Sequence, residues 1–318
     1  MEYASLGRTG LEVSRLAFGC MSLSSETAEL EQRGMAAVHR AYELGITLYD
    51  TADVYGRGDS EQTLGRALAE GGIGRDQVVI ASKCSIVFPG MEPAYQHKAY
   101  DASADYVRRS CEASLKRLGT DYIDLYQIHR IDYLTHPQET AAAVAALIEE
   151  GKIRHLGVSN YTPDEIRALA AYTDLASLQT QFSLLHLEPL ETGLMATCLE
   201  KGLSVLAWSP LHRGVLTGAR APARDDWQAQ REQGLVTQLA PFAAEYGISV
   251  GQLALAWLMR QPAGVIPLVG TANADHIAEA AAAVDVVLER DDWYELLVAA
   301  RGRPMPWGQR PYLYAKER

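Results

Sequence analysis

Short apolar runs and longer amphipathic helical patterns alternate eight times along this chain. The runs are too apolar for a sheet with one face in water, which indicates parallel strands covered by helices. Eight such units favour an α/β fold in which the sheet closes into a (β/α)8 TIM barrel rather than staying open. The predicted strands are residues 16–19, 47–52, 78–83, 123–129, 155–159, 178–182, 204–208 and 265–270.

Helices are predicted between these strands because their ends carry recognisable signals. Thr162 and Pro163 are typical of an N-cap and a first helical position. Gly45, Gly119 and Gly202 each follow an amphipathic stretch, where glycine is the usual C-terminal cap. The predicted helices are residues 28–44, 60–69, 105–118, 141–150, 162–171, 190–201, 250–260 and 275–284.

Other segments flank or interrupt the eight units. Two short alternating runs around residues 7–10 predict an N-terminal β-hairpin, and residues 291–301 predict an extra C-terminal helix. Two strand-to-helix loops are long, at residues 84–103 and 211–239. Because such loops build the active site of a barrel, we expect them to be substrate walls or lids. No linker divides the chain, so residues 1–318 are predicted to be one domain.

The composition narrows the class of protein. With 48% hydrophobic residues among 318, the chain can bury a large core. Its net charge of −11 disfavours nucleic-acid binding, because phosphate backbones are repelled. The chain begins without a signal-peptide pattern and has no run long enough to span a membrane, so we expect a cytoplasmic protein without a membrane partner. Its four cysteines lack metal-ligand spacing, so no metal site is predicted.

Polar side chains stand where three consecutive strands are predicted to end. Asp50 ends the second strand, Lys83 ends the third and His129 ends the fourth, while Tyr55 lies in the loop after the second. The carboxyl ends of barrel strands carry the active site. A charge that closes an apolar strand is costly unless it is paired, so Asp50 and Lys83, on neighbouring strands, are predicted to pair.

The chemistry that these side chains offer is proton transfer to oxygen. An ammonium beside a phenol favours the phenolate, so Lys83 is expected to lower the pKa of Tyr55 from its usual ~10. Tyr55 can then protonate a developing alkoxide while His129 orients the same oxygen. Each residue alone has a plain structural explanation, such as a turn cap, a lysine reaching water or a core histidine. Their joint occurrence favours catalysis.

Six motifs in a fixed order carry a family resemblance. They are YDTADVYG at residues 49–56, ASK at 81–83, LGTDYIDLY at 118–126, GVSN at 157–160, AWSPL at 207–211 and IP at 266–267 leading to Gly270. On these motifs the chain resembles the aldo-keto reductase family over nearly its whole length. The resemblance implies reduction of aldehydes or ketones, or the reverse, by hydride transfer from a nicotinamide. It assigns Asp50, Tyr55, Lys83 and His129 to the catalytic tetrad.

The resemblance also implies how the nicotinamide cofactor is held. Ser159, Asn160 and Gln181 match positions that bind the carboxamide, and Trp208 matches a position that stacks on the ring. The chain has no GxGxxG motif, which argues against a Rossmann dinucleotide site. The predicted cofactor-binding set is Gly19, Met21, Asp50, Ser159, Asn160, Gln181, Trp208, Ser209, Pro210, Leu211, Gly214, Gly270, Thr271, Asn273, His276 and Glu279.

The choice between NADP(H) and NAD(H) depends on residues 270–279. Relatives that prefer NADP(H) offer Lys or Arg in this stretch, because a cation clamps the 2′-phosphate. Here the stretch has no permanent cation, although His276 and the backbone N–H groups at the start of the following helix can bind phosphate. NADP(H) is slightly favoured over NAD(H), which stays an alternative.

Three other interpretations stay open. The chain is also compatible with a nicotinamide-binding sensor of low turnover, or with an NAD-dependent dehydrogenase of a sugar or secondary alcohol. A barrel isomerase or aldolase with Lys83 as a Schiff-base lysine leaves Tyr55 and Trp208 without roles. The expected partner is a small carbonyl or alcohol substrate, and no oligomeric state is predicted. The expected pocket residues are Met21, Val54, Phe88, Tyr126 and parts of the C-terminal tail.

Overall fold

The computed structural model describes residues 1–91, 95–218 and 226–305, in which eight parallel strands form a closed barrel. The strands are β1 (Tyr3–Ser5), β2 (Glu12–Ser14), β3 (Ala17–Gly19), β4 (Leu48–Asp50), β5 (Val79–Cys84), β6 (Ile86–Val87), β7 (Ala99–Tyr100), β8 (Ile123–Ile128), β9 (Ile153–Ser159), β10 (Ser177–Gln181), β11 (Ser204–Trp208) and β12 (Val265–Val269). The barrel runs β3, β4, β5, β8, β9, β10, β11, β12 and back to β3. All eight predicted strands and the (β/α)8 fold are confirmed.

At least one helix follows each barrel strand. The helices are α1 (Ala28–Glu43), α2 (Asp59–Glu70), α3 (Ala104–Leu118), α4 (Pro137–Glu149), α5 (Pro163–Ala170), α6 (Glu188–Glu191), α7 (Leu194–Lys201), α8 (Trp227–Glu245), α9 (Val250–Met259), α10 (Ala274–Ala281) and α11 (Arg290–Arg301). The predicted cap of α5 is present, because the Thr162 side chain accepts from the Glu165 N–H and Pro163 begins the helix. None of the helices in the described ranges is long and apolar enough to cross a membrane.

The predicted N-terminal hairpin closes the amino end of the barrel. β1 and β2 pair antiparallel, and the hairpin buries Leu6 and Val13 against the lower interior of the barrel. Gly7 is needed at the turn: its φ is +57°, and a Cβ there would lie 2.3 Å from the carbonyl oxygen of Ala176. The Gly7 N–H donates to the Ser204 hydroxyl at the start of β11, at 2.8 Å.

The barrel interior has an apolar layer below a polar one. Leu48, Leu125, Leu206 and their buried neighbours fill the lower part, next to the hairpin. The strand register then places polar side chains side by side nearer the carboxyl ends, because partners in a parallel ladder face the same way. The polar side chains of this layer are Asp50, whose register partner is Gly19, and the aligned pairs Lys83 with Gln127 and Ser159 with Gln179.

The C-terminal helix α11 is fixed to the outer helix α9 by a pair of tryptophans. Trp257 of α9 and Trp293 of α11 stack with ring centroids 5.0 Å apart and nearly parallel planes. Each indole N–H donates to the backbone carbonyl of the other residue, at 3.2 and 3.0 Å. The predicted extra helix is therefore confirmed as α11, while the predicted pocket residues of the tail beyond residue 305 lie outside the described residues.

The prediction of a loop over residues 211–239 was wrong for its second half, which belongs to α8. Asp226 caps this helix by accepting hydrogen bonds from two N–H groups of its first turn. Leu235 and Leu239 are buried in the hydrophobic core. The helix was missed because its apolar positions are widely spaced and Pro241, usually a helix breaker, lies within it. Residues 219–225 of the predicted loop are not described.

Two smaller differences from the predictions also have local causes. The loop at residues 84–103 contains the short ribbon of β6 and β7, although its residues 92–94 are not described. The predicted helix at residues 190–201 is divided into α6 and α7 by Gly193, whose φ is +79°. A left-handed residue of this kind interrupts helical hydrogen bonding.

Candidate active site

Asp50 and Lys83 form an ion pair inside the barrel. The Lys83 ammonium lies 2.6 Å from Oδ2 of Asp50, and Lys83 is 0% exposed. Its remaining hydrogens go to the carbonyl oxygen of Thr51 at 2.7 Å and the hydroxyl of Tyr55 at 3.3 Å. Burial acts to lower the pKa of Lys83, but the Asp50 charge and the Tyr55 phenol raise it above its usual value. The side chain is therefore a permanent cation with three acceptors, one of them Tyr55.

Tyr55 begins a short 3-10 turn after β4, and its hydroxyl faces Lys83. The expectation that Lys83 gives Tyr55 a lowered pKa was wrong for the net effect. Burial raises the pKa of Tyr55 above its usual value and outweighs the lowering effect of the ammonium, while the Asp50 charge also raises it. Moving a phenolate out of water costs more free energy than its attraction to one nearby ammonium offsets. Tyr55 therefore keeps its proton at neutral pH.

His129 follows β8 and packs edge-on against Tyr55. The ring centroids are 5.9 Å apart with an interplanar angle of 84°. Burial, together with the positive charges of Lys83, Arg130 and Lys98, holds the pKa of His129 well below its usual range. The imidazole is neutral at pH 7, and its Nδ1 has no hydrogen-bond partner within the described ranges. A neutral ring whose Nδ1 meets no acceptor is better suited to carry its proton on Nε2, as a hydrogen-bond donor.

Two glutamines that sequence reasoning missed complete the surroundings of Asp50. The side-chain amides of Gln127 and Gln179 donate to Oδ1 of Asp50 at 3.0 and 2.8 Å. Both residues are nearly inaccessible. A signal was present in the sequence, because Gln127 shares the inward face of its strand with Leu125, and a polar residue at such a position needs a partner.

Tyr126 was predicted to line the substrate pocket, and this prediction was wrong. Its side chain is 0% exposed and belongs to the core between the barrel and the helices. The reason is strand alternation: Leu125 and Gln127 face the barrel interior, so Tyr126 faces outward. Of the other expected pocket residues, Val54 and Phe88 are partly exposed and Met21 is 70% exposed.

Ser159, Asn160 and Trp208 form a hydrogen-bonded group at the carboxyl ends of β9 and β11. The Asn160 amide donates to the Ser159 hydroxyl at 2.8 Å and accepts from the Trp208 indole at 3.0 Å. Asn160 has a φ of +58°, an uncommon conformation for a residue other than glycine. Ser159 is buried, whereas Asn160 and Trp208 are partly exposed. Gln181 ends β10 in register with Trp208.

The chain turns sharply after β11, where four members of the predicted cofactor-binding set lie: Ser209, Pro210, Leu211 and Gly214. Ser209 has a φ of +51° and Gly214 a φ of +88°. The carbonyl oxygen of Leu211 accepts from the N–H groups of Gly214 and Leu216 at 2.9 and 3.2 Å. Pro210 is buried beneath this turn. The segment is therefore a compact turn at the carboxyl end of the barrel.

The last predicted contacts lie between β12 and α10. Gly19 and Gly270 approach so closely that a Cβ on Gly270 would lie 3.3 Å from the Gly19 carbonyl oxygen. Asn273 caps α10 by accepting from the Asp275 N–H at 2.9 Å. Thr271 is partly exposed, and His276 and Glu279 are exposed. The Glu279 carboxylate also accepts from the Ser249 hydroxyl at 2.6 Å.

A second buried carboxyl, Asp53, lies two residues before Tyr55. Its Oδ2 accepts from the Ser110 hydroxyl at 2.9 Å, and its Oδ1 has no partner within the described ranges. Burial and the nearby Glu61 charge raise the pKa of Asp53 to about 7, although Ser110 and Arg117 act in the opposite direction. Asp53 is thus expected to be protonated below neutral pH in the folded chain.

Replacing Asp53 by Asn is expected to stabilise the protein at alkaline pH. The folded chain holds the Asp53 proton up to about pH 7, whereas the unfolded chain releases it near 3.8, so stability falls as the pH rises between these values. Asn copies the neutral form, and the free energy of unfolding at pH 8 should rise by roughly 2–4 kcal/mol. Urea unfolding at pH 5 and pH 8 measures this, and equal pH dependence in both proteins would contradict it.

Comparison with known proteins places this site in a family. The aldo/keto reductase family model matches residues 15–298. The chain is 38% identical over 312 residues to the 6-dehydroglucose reductase of Novosphingobium aromaticivorans, covering 96% of this chain and 97% of the relative. It is 35% identical over 297 residues to the 6-dehydroglucose reductase of Agrobacterium fabrum, covering 92% and 96%.

Solved structures agree with these sequence matches. The glycerol dehydrogenase of Gluconobacter oxydans superposes with a TM-score of 0.84 at 26% identity, covering 97% of this chain and 99% of that one. The holo form of an aldo-keto reductase from Bacillus halodurans gives a TM-score of 0.81 at 29% identity, covering 94% and 96%. With a family model spanning most of its length and close relatives matched almost end to end, this chain belongs to the aldo/keto reductase family.

Proposed function

We propose that Tyr55 is the acid that protonates the carbonyl oxygen when this enzyme reduces an aldehyde or a ketone, and the base in the reverse oxidation. The chain is a nicotinamide-dependent oxidoreductase, as members of its family are. The bound nicotinamide supplies or accepts the hydride. The observation that carries the proposal is the Lys83 ammonium, buried with Asp50 and 3.3 Å from the Tyr55 hydroxyl.

Tyr55 carries its proton at neutral pH, as the acid of the reduction direction must. The hydroxyl is protonated before reaction, and as charge grows on the carbonyl oxygen that oxygen becomes a far stronger base than a phenolate. Tyr55 then gives up its proton, and the adjacent Lys83 ammonium stabilises the phenolate that forms. Asp50 holds the ammonium in place. The neutral His129 ring donates a hydrogen bond that orients the same oxygen.

The nicotinamide ring is placed against Trp208 in this proposal, with its carboxamide facing Ser159 and Asn160. The three side chains form one hydrogen-bonded group, and their amide, hydroxyl and aromatic surfaces support the assignment. The ends of β3 and β12 pack closely, since a Cβ on Gly270 would lie 3.3 Å from the Gly19 carbonyl oxygen, and both glycines are proposed cofactor contacts. The remaining proposed contacts are Met21, Asp50, Gln181, Ser209, Pro210, Leu211, Gly214, Thr271, Asn273, His276 and Glu279.

We propose that the enzyme prefers NADP(H) to NAD(H). Introducing a positive charge tests where the 2′-phosphate of NADP(H) binds. Asn273→Arg or His276→Arg should tighten NADPH binding by roughly tenfold while leaving NADH binding nearly unchanged, because a guanidinium clamps the 2′-phosphate. Separate fluorescence titrations with NADPH and NADH, reported by Trp208, measure both constants. Val287→Arg, at a position 72% exposed on another surface, is the matched control. Equal or weaker NADPH binding in both site variants would place the phosphate elsewhere.

Turnover of the purified enzyme with a panel of aldehydes and ketones tests the proposed reaction. Consumption of NADPH or NADH that depends on the carbonyl compound supports it. Binding of both cofactors without turnover on any carbonyl or alcohol would favour the nicotinamide-binding sensor instead. The same panel run with alcohols and the oxidised cofactors compares the two directions. A much faster NAD+-dependent oxidation would favour the dehydrogenase, which the missing cations at residues 270–279 keep as the second candidate.

We further propose that the substrate is a small polyhydroxylated aldehyde. Two relatives matched over more than nine-tenths of this chain are 6-dehydroglucose reductases. The predicted preference is a kcat/KM for 6-dehydroglucose above that for an aliphatic aldehyde of the same carbon count. Equal values for the two would leave the sugar hydroxyls without a role in recognition.

We also propose a single catalytic domain over residues 1–318 that works in the cytoplasm. The four cysteines are buried and free, which fits a reducing compartment. Cell fractionation followed by immunodetection tests the location. Its partners are proposed to be small molecules rather than nucleic acids, since the chain carries a net charge of −11.

A further inference from the structure

We infer that Gln127 is a positioning residue which, with Gln179, fixes the Asp50 carboxylate and thereby aims the Lys83 ammonium at Tyr55. The inference rests on the proposed role of Tyr55. Gln127 does not reach the reacting atoms itself, and it acts through two intervening side chains. Its side chain is 0% exposed, so it has no contact with bulk water.

The hydrogen bonds form one connected chain across the barrel. Gln127 Nε2 donates to Asp50 Oδ1 at 3.0 Å, and Gln179 Nε2 donates to the same oxygen at 2.8 Å. Gln179 Nε2 also lies 3.3 Å from Gln127 Oε1, so the two amides hold each other in orientation. The other carboxylate oxygen, Oδ2, accepts from Lys83 at 2.6 Å. Each oxygen of Asp50 therefore has its own donors.

The orientation of both amides follows from the charge of Asp50. Oδ2 of Asp50 accepts from the Lys83 ammonium and Oδ1 accepts from both amides, so the carboxylate acts only as an acceptor. Gln127 and Gln179 must therefore turn their NH2 groups toward it. Because both oxygens of Asp50 accept hydrogen bonds, its carboxylate group cannot rotate without losing at least one of them. Lys83, held at Asp50 and Thr51, then points its third hydrogen at Tyr55.

The charged and titratable groups that face Tyr55 come from four neighbouring segments. Lys83 on β5 and Asp50 on β4 are the nearest charges. Cys20, just after β3, also acts on the phenol, and His129, after β8, packs against its ring. Arg130 and Lys98 act on His129 from the rim. Of these groups, Asp50 is the one to which Gln127 donates a hydrogen bond, so the effect of Gln127 on Tyr55 is proposed to pass through that hydrogen bond.

Removing the Gln127 donor is expected to raise the pH at which Tyr55 ionises. The N–H dipole partly offsets the negative charge of Asp50, and that charge raises the pKa of Tyr55. Without the donor, the carboxylate charge is less shielded and binds Lys83 more strongly, so the phenolate of Tyr55 is less stable. The pH at which Tyr55 ionises should move upward by about 0.5, a part of what one hydrogen bond to a charged group contributes.

Gln127→Met tests this, because methionine keeps the length of the side chain and has no donor. For alcohol oxidation, which needs the ionised Tyr55, the rising limb of the kcat–pH profile should move up by about 0.5, and kcat at neutral pH should fall about threefold. For carbonyl reduction the falling limb at high pH should move up by the same amount. Cofactor affinity should stay unchanged. Gln127→Asn, too short to reach Asp50, is the second variant if the first does not fold.

Two controls separate positioning from packing. Gln261→Met makes the same change at a buried amide near the amino end of β12, remote from Asp50, and should leave both profiles in place. In an Asp50→Asn background, adding Gln127→Met should change nothing further; single-turnover measurements with excess enzyme keep these rates measurable. A wild-type profile in Gln127→Met, or an equal displacement with and without Asp50, overturns the inference. Wild-type turnover in Tyr55→Phe instead overturns the proposed function itself.

Discussion

Replacing Tyr55 by Phe is expected to reduce kcat for carbonyl reduction by about 10²–10⁴-fold, because the acid is removed while the pocket keeps its shape. The ring that packs against His129 at 5.9 Å remains, and so does the Asp50–Lys83 pair. Affinity for NADPH and NADH should therefore stay nearly unchanged. Steady-state turnover and fluorescence titration measure the two effects on the same preparation.

The matched control is Tyr133→Phe, since Tyr133 is 78% exposed on a loop and loses the same hydroxyl. Its turnover should equal that of the unmodified enzyme. A Tyr55→Phe enzyme that turns over at nearly the original rate would remove Tyr55 as the acid. A large loss of cofactor affinity in that variant would instead mean that the hydroxyl holds the cofactor.

Replacing Lys83 by Met is expected to lower both turnover and stability. The substitution leaves the Asp50 carboxylate buried without its counter-ion, and breaking a buried pair in this way costs about 3–5 kcal/mol of unfolding free energy. The phenolate of Tyr55 loses its neighbouring ammonium as well. Turnover should therefore fall strongly, and the alkaline limb of the pH profile for oxidation should move upward. An unchanged profile would mean that Lys83 does not tune Tyr55.

The pH dependence of unfolding identifies the cause of the stability loss. In the Lys83→Met variant, acid should stabilise the fold relative to neutral pH, because protonation of Asp50 removes the buried charge. The double variant Asp50→Asn with Lys83→Met carries neither charge, and it should regain most of the stability without regaining turnover. A double variant as unstable as the single one would show that packing, and not charge, holds the pair in place.

Local pattern was enough to predict the architecture. The barrel follows from apolar runs alternating with capped amphipathic segments, because each such strand must be covered by a helix. The pairing of Asp50 with Lys83 was also predictable, since both close neighbouring strands and neither can be buried alone. The failures were equally local. The helical pattern of α8 was missed because Pro241 lies within it. Tyr126 was predicted to face the pocket, although alternation along its strand turns it outward into the core.

What the linear sequence by itself determined is therefore the order of the elements and the identity of three polar side chains at strand ends, with Tyr55 in the loop after one of them. Only the tertiary structure decided that Tyr55 holds its proton more tightly than a free phenol, because burial outweighs the attraction of Lys83. It alone also brought Gln127 and Gln179 to one oxygen of Asp50. Desolvation and hydrogen bonds between distant strands depend on how the sheet closes, and no local window of residues contains that information.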